Sequence, residues 1–284
     1  MSNPKLLAII GWPVAHSRSP LIHNYWLQRA GLNVIYKPYP IKPDTDFAAA
    51  LATMAQQGFI GANVTVPHKE TAFAAMTQCQ AAAAQLQAVN TIIFTKNGAQ
   101  GANTDGTGFV AGLDEHDTKW CNVLALVLGG GGVARAAVAA LAQAGVHDIR
   151  LVNRNRAKAE SVAKIGQNFA DSEAKIALFD WHEIEKASQD AGLLVNATYL
   201  GMVGKPILPD MPLTALRPNA LVNDLVYTPR LTPLLRHAQQ VGLRPIDGLG
   251  MLLHQAAASF ALWFGQPPPV NATLRARLIA DLGE

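Results

Sequence analysis

Val123-Leu124-Ala125-Leu126-Val127-Leu128-Gly129-Gly130-Gly131-Gly132-Val133-Ala134 is the stretch that decides the fold. A strand-like apolar run breaks into four glycines, which open an alanine-rich segment of helical character. Glycines at a strand-to-helix junction permit a tight turn and close backbone approach. Amide N–H groups and the positive end of the following helix can then meet a pyrophosphate. The next strand-like run, Asp148 to Val152, lies about twenty residues on and ends in Asn153-Arg154-Asn155-Arg156. A site for NAD usually carries Asp or Glu at that strand end to bind ribose hydroxyls, whereas a 2'-phosphate repels a carboxylate and attracts a guanidinium. No acid stands between Asn153 and Lys158. The expected cofactor is NADP(H), with Gly129, Gly130, Gly131, Gly132, Val133 and Ala134 around the pyrophosphate. Arg154 is the leading phosphate contact, supported by Arg156 or Lys158, with Asn153 and Asn155 beside it.

Composition sets the outer limits. The chain has 284 residues, half of them hydrophobic, which is enough for two cores. Lys and Arg total 23 against 20 Asp and Glu with no basic block, so small anionic ligands fit better than nucleic acid. Only Cys79 and Cys121 occur, without paired spacing, which argues against a disulfide framework and a cysteine-bound zinc. His16, His68 and His254 show no metal-ligand spacing, so no metal is expected. The first apolar run, Leu6 to Ile10, is too short for a signal sequence or a membrane span, and a cytoplasmic home is expected by default.

Residues 1–104 alternate strand-like and helical stretches: Leu6 to Ile10, Pro20 to Ala30, Val34 to Tyr39, Asp46 to Gln57 and Ile60 to Val64. A helix is expected from Pro67, and strands at Asn90 to Phe94 and Gln100 to Asn103. This reads as an α/β domain of its own, for substrate binding and catalysis. Residues 105–247 read as a Rossmann-like doubly wound sheet, continuing through Lys175 to Phe179, Leu193 to Ala197, Ala220 to Asp224 and Arg244 to Ile246. The helices Gly250 to Phe264 and Ala272 to Leu282 have no strand to alternate with, so residues 248–284 are expected to complete the first domain. A cleft between the domains is the expected ligand site.

Three polar clusters fall at strand ends of the first domain. In His16-Ser17-Arg18-Ser19-Pro20, two hydroxyls at a helix start can share a carboxylate, although Ser before Pro is also an ordinary helix cap. In Asn63-Val64-Thr65-Val66-Pro67-His68-Lys69, alternation aims Asn63 and Thr65 the same way. Lys69 falls in a first helical turn, where a cation opposes the macrodipole, so a structural reason for it is weak. Lysine suits proton transfer where burial disfavours the ammonium. The third cluster joins Asn90-Thr91 to Asn103-Thr104-Asp105-Gly106, where Asp105 can cap a helix and also serve as a carboxylate partner to Lys69. Further on, Thr198 at one strand end is a candidate for the nicotinamide side of the cofactor, Leu225 and Gly248 are further cofactor-binding candidates, and Tyr227 and Gln255 offer a phenol and an amide.

Taken together, His16 to Pro20, Asn63 to Lys69, Ala88-Val89-Asn90-Thr91, Asn103 to Gly106, the glycine loop with Asn153-Arg154, and Gly250-Met251-Leu252 through Gln255 resemble the shikimate dehydrogenase family. The resemblance spans nearly the whole chain. It implies reversible, NADP-dependent reduction of 3-dehydroshikimate to shikimate in aromatic amino acid biosynthesis. It also implies Lys69 and Asp105 as the catalytic pair, and Ser17 and Ser19 on the substrate carboxylate with Tyr227 nearby. Asn63, Thr65, Asn90 and Gln255 would then hold its hydroxyls and ring. Departures are Tyr199 where the family usually has Ser and Asn155 where it usually has Thr. The alternatives are a quinate/shikimate dehydrogenase of broader range and a dinucleotide-binding regulatory protein without turnover. Either a monomer or a homodimer is compatible with the sequence.

Overall fold

Apolar runs that alternate with helical stretches build two separate six-stranded sheets. A computed structural model describes residues 3–116, 119–169 and 174–283. The chain divides into the unit Met1–Thr104 with Gln255–Glu284 and the unit Asp105–His254.

In the first unit the order is β1 (Lys5–Gly11), α1 (Ser19–Arg29), β2 (Val34–Pro40), α2 (Phe47–Gln56), β3 (Phe59–Val64), α3 (Lys69–Ala75), β4 (Gln78–Cys79), α4 (Ala81–Leu86), β5 (Thr91–Thr95) and β6 (Gly98–Ala102). The sheet runs β2-β1-β3-β5-β6-β4; β1 is parallel to β2 and β3, and β5 is antiparallel to β3 and β6. Successive residues Leu7, Ala8, Ile9 and Ile10 of β1 are all buried, as a strand covered on both faces requires. Ala8 and Ile10 join Phe47, Leu51 and Met54 of α2 in one core cluster.

The helix expected from Pro67 opens two residues later. Val66–Pro67 is a cis peptide in a turn closed by the His68 N–H on the Thr65 carbonyl (3.0 Å), and α3 begins at Lys69. The two-residue β4 and the short α4 carried no periodicity long enough to read.

The second unit contains α5 (Asp105–Asp114), β7 (Ala125–Leu128), α6 (Gly132–Gln143), β8 (Asp148–Val152), α7 (Arg156–Phe169), β9 (Lys175–Phe179), α8 (Ile184–Ser188), β10 (Leu193–Asn196), β11 (Leu221–Asp224), α9 (Pro233–Gln240) and β12 (Arg244–Ile246). Its sheet is parallel throughout, in the order β12-β11-β10-β7-β8-β9. This is the doubly wound order, with its switch point between β7 and β10. Period-two alternation splits each strand between two cores. Ala125 and Val127 pack with Phe109, Ala137 and Leu141 on one face, while Leu126 and Leu128 pack with Ala187, Leu234 and Leu235 on the other.

α10 (Leu249–Phe264) and α11 (Ala272–Asp281) follow. The unit boundary falls inside α10, at His254–Gln255, rather than before the helix. The first turns of α10 belong with the second unit, where His254 Nε2 lies 2.9 Å from Glu115 Oε1 just beyond α5. From Gln255 onward the contacts are with the first unit: Trp263 Nε1 donates to the Ile92 carbonyl (3.0 Å), and Trp26 Nε1 to the Pro269 carbonyl (3.1 Å). Among the described residues, no helix is long and apolar enough to cross a membrane.

Candidate active site

Ser17, Ser19, Asn63, Thr65, Lys69, Asn90 and Gln255 belong to the first unit; Asp105 and Tyr227 belong to the second. Ser19 is the first residue of α1 and Arg18 its cap position, without a side-chain cap bond, so Ser19 does not cap the helix. Ser17 Oγ instead accepts the Ser19 N–H at 3.3 Å. Arg18, between them, donates to the His16 carbonyl (3.0 Å), and its Nε lies 2.6 Å from Asp281 Oδ2. That pair fastens the serine segment to the last turn of α11.

Lys69 is half-buried at the start of α3, and its carbonyl accepts the Val89 N–H (2.9 Å) next to Asn90. Thr65 stands half-buried just past the end of β3, with its N–H on the Ile10 carbonyl (2.8 Å). Asp105 is buried as the first residue of α5, where a carboxylate suits the positive helix end.

Asn63 departs from the expected picture. It is only 3% exposed, and both ends of its carboxamide bond inward: Oδ1 accepts the Tyr36 hydroxyl (2.8 Å), and Nδ2 faces Ser259 Oγ (2.9 Å), Thr91 Oγ1 and the Asn90 carbonyl (both 3.2 Å). Asn90 Oδ1 accepts from Thr104 N–H (2.9 Å) and the Thr91 hydroxyl (2.8 Å), while its Nδ2 donates to Thr104 Oγ1 (2.9 Å). Burial among polar partners holds such a network rigid, since each unmade bond would carry a desolvation penalty. Tyr36 stacks on His23 with ring centroids 4.3 Å apart, and Trp26, Phe260 and Trp263 complete an aromatic box. Burial pushes the Tyr36 phenol up and drives the His23 imidazole down to about 3, so His23 is a neutral plate. Ser259, Tyr36 and His23 carried no readable signal: each looks like ordinary helix or strand filling until distant segments meet.

The second unit gathers the cofactor candidates at the carboxyl ends of its strands. Gly129 has φ +128°, and a Cβ there would come within 2.9 Å of the Ala197 carbonyl oxygen at the end of β10. A Cβ on Gly130 would meet Asn153 Nδ2 at 2.5 Å, whereas Gly131 has open space around it. The loop is thus pinned from below and open above, ahead of the N–H groups of Gly132, Val133 and Ala134 in the first turn of α6. Helix-opening N–H groups have no partner within the helix, and residues of this kind in this place fit a pyrophosphate.

Arg154 is exposed, with no ion pair among the described residues. Arg156 pairs with Glu160 (3.3 Å), and Asn155 Oδ1 caps α7 by accepting the Lys158 N–H (3.0 Å). Arg154 thus presents an exposed guanidinium at the end of β8. On the other side of the switch point, Thr198 donates through its hydroxyl to Asn196 Oδ1 (2.7 Å), and Asn196 Nδ2 donates to Asp224 Oδ1 (2.9 Å). Asp224 also accepts from Thr232 Oγ1 (2.6 Å) and Val226 N–H (3.1 Å), yet burial raises its carboxyl from 3.8 to about 6. Leu225 N–H bonds the Asn196 carbonyl (3.1 Å), and Gly248 lies flat on the same segment, where a Cβ would come within 2.7 Å of the Leu225 carbonyl oxygen. Tyr227 is half-buried two residues on, and Tyr199 is exposed beneath the Lys205 ammonium. Asp180, His182 and Glu183 bring ligand-type atoms within 4.8 Å of one another, but Asp180 and Glu183 already serve as the two halves of a helix capping box.

Comparison with known proteins matches residues 9–92 to the shikimate dehydrogenase substrate binding domain and residues 248–276 to the shikimate 5'-dehydrogenase C-terminal domain. The shikimate dehydrogenase (NADP(+)) of Paracoccus denitrificans is 46% identical over 278 residues, covering 97% of this chain and 96% of that one. Its counterpart in Cereibacter sphaeroides is 47% identical over 278 residues, covering 97% of each. Among solved structures, quinate dehydrogenase from Corynebacterium glutamicum in complex with NAD is similar at TM-score 0.88 and 29% identity, covering 98% of this chain and 100% of that one. The Thermus thermophilus shikimate 5-dehydrogenase in complex with NADP(H) and shikimate is similar at TM-score 0.84 and 31% identity, covering 98% and 99%. With near-full-length relatives at this identity, the chain belongs to the shikimate dehydrogenase family.

Proposed function

We propose that this chain catalyses the reversible NADP-dependent reduction of 3-dehydroshikimate to shikimate, in the cytoplasm, within aromatic amino acid biosynthesis. The observation that carries the reading is the near-full-length identity of 46% and 47% to proteins named shikimate dehydrogenase (NADP(+)). The acid-free end of β8 with exposed Arg154 supports NADP over NAD.

When bound, the dinucleotide supplies the hydride that reduces the C3 carbonyl carbon. Lys69 delivers the proton that the carbonyl oxygen takes up, with Asp105 as its carboxylate partner; in the reverse direction the pair accepts the hydroxyl proton. Ser17, Ser19 and Tyr227 bind the carboxylate. Thr65, Asn90 and Gln255 hold the ring hydroxyls, and Asn63 supports them from inside the fold. Thr198, Leu225 and Gly248 flank the nicotinamide.

The test is a steady-state comparison of shikimate and quinate with NADP and with NAD, followed by absorbance of the reduced cofactor. Shikimate with NADP should give the highest kcat/KM. Preference for quinate with NAD would favour a quinate dehydrogenase, and absence of turnover with every pair would sink the catalytic reading. Replacing Arg154 by Ala should raise the KM for NADP about tenfold to a hundredfold, since it removes a charge-assisted contact to the 2'-phosphate, with little change for NAD. Equal losses with both cofactors would exclude that role.

A further inference from the structure

Asn196 ends β10 fully buried, and both atoms of its carboxamide are engaged twice. Oδ1 accepts the Thr198 N–H (3.1 Å) and the Thr198 hydroxyl (2.7 Å), while Nδ2 donates to the Leu200 carbonyl (3.2 Å) and to Asp224 Oδ1 (2.9 Å). Two of these four partners are backbone groups, whose roles cannot change. A flipped carboxamide would set its NH2 against the Thr198 N–H and its oxygen against the Leu200 carbonyl, so a single orientation satisfies both. The one hydroxyl proton of Thr198 lies on Asn196 Oδ1, and its oxygen takes the Leu200 N–H (3.1 Å). That hydroxyl is thereby turned into the fold.

The same residue reaches the neighbouring strand. Its carbonyl accepts the Leu225 N–H (3.1 Å), and Asp224, the last residue of β11, is held in turn by Thr232 Oγ1 (2.6 Å) and the Val226 N–H (3.1 Å). Asn196 thus ties the turn after β10 to the turn after β11, all within the second unit. The turn after β10 also backs the glycine loop: the Ala197 N–H bonds the Leu128 carbonyl (2.9 Å), and a Cβ on Gly129 would lie 3.4 Å from Thr198 Cγ2. In a doubly wound sheet a dinucleotide crosses the strand ends at the switch point. With the adenosine half at the basic end of β8, the nicotinamide half falls over the ends of β10 and β11.

We propose that Asn196 is a positioning residue for the nicotinamide half of the cofactor: with no surface of its own, it holds Thr198 at one strand end and Leu225 at the next in fixed relation, and so seats the ring without touching it. The proposal rests on the NADP reading above and not on the identity of the second substrate.

The experiment measures, by calorimetry on the full-length protein, the affinity for NADP and for adenosine 2',5'-bisphosphate, which carries the 2'-phosphate but no nicotinamide. Asn196→Ala should weaken NADP about tenfold and leave the bisphosphate within about twofold, because only the nicotinamide half loses its seat. Thr198→Val keeps the shape of the side chain but loses the hydroxyl that Asn196 holds, and should behave like Asn196→Ala. Thr198→Ser keeps the hydroxyl and should bind NADP within about threefold of the parent protein. The Leu200 amide, followed by hydrogen exchange, should exchange at least about tenfold faster in Thr198→Val than in Thr198→Ser. Unchanged NADP affinity in Asn196→Ala and Thr198→Val would overturn the proposal, as would an equal loss with both ligands, which marks a general structural role. Should Asn196→Ala not fold, the Thr198 pair decides: a loss in Ser with none in Val would refute the hold on the hydroxyl. A parent protein that binds NADP but turns over no shikimate would sink the shikimate reading alone, since calorimetry needs no turnover; one that binds no NADP would overturn both.

Discussion

Replacing Lys69 by Ala should lower kcat for shikimate oxidation by about 10² to 10⁴, equivalent to about 3–5 kcal/mol of transition-state stabilisation. The size follows from the role: in oxidation the ring hydroxyl must lose its proton as hydride leaves the carbon, and without a positioned base that proton has to go to water. Lys69 stands half-buried at the first position of α3, where a cation opposes the helix dipole. Helix stability therefore gives little reason for a lysine there. The variant should retain its far-UV circular dichroism and its affinity for NADP, because the glycine loop and Arg154 belong to the other unit. Turnover close to that of the parent enzyme would remove Lys69 from the mechanism. Lost turnover together with a lost fold would show a structural role instead.

The second large effect concerns stability rather than chemistry. Asp224 is 1% exposed and titrates near 6 in the fold against 3.8 ordinarily, because burial outweighs the bonds from Thr232, Val226 N–H and Asn196. A folded-state value above the unfolded one means that the native protein binds the proton more tightly. This contribution to stability is fully present below 3.8 and is lost as pH rises through 6, a change of about 3 kcal/mol. Asp224→Asn imitates the protonated form: its oxygen can still accept from Asn196 and Val226, and its NH2 can donate to Thr232.

Urea unfolding should therefore show the variant matching the parent protein near pH 4 and exceeding it by about 3 kcal/mol near pH 7. His23, lowered to about 3 by burial, works in the opposite sense, its stabilisation being lost as pH falls below 6.5. Both proteins contain His23, so its effect cancels in the difference. A difference that does not vary with pH would mean that Asp224 is not the titrating group. Thr198 should keep its place in the variant, since Asn196 still holds it through Oδ1.

What the amino-acid sequence determines by itself is local. An apolar run that breaks into Gly129 to Gly132 can only become a strand, a tight turn and a helix start, because every interaction that shapes it lies within a few residues. The basic end of β8 is legible for the same reason: charge, spacing and the lack of an acid from Asn153 to Lys158 are properties of consecutive residues. Even here detail escaped, since Arg156 turns to Glu160 and Asn155 caps α7.

Tertiary structure alone decides how the polar side chains face. Asn63 and Ser259 are 196 positions apart, and Thr104 meets the Gln255 carbonyl across 151, so nothing in either neighbourhood foretells that these groups share a buried network. The raised carboxyl of Asp224 and the unit boundary inside α10 have the same origin. Burial and hydrogen-bond direction are set by whichever residues the fold brings within about 3 Å of one another, and periodicity along the chain carries no record of those distances.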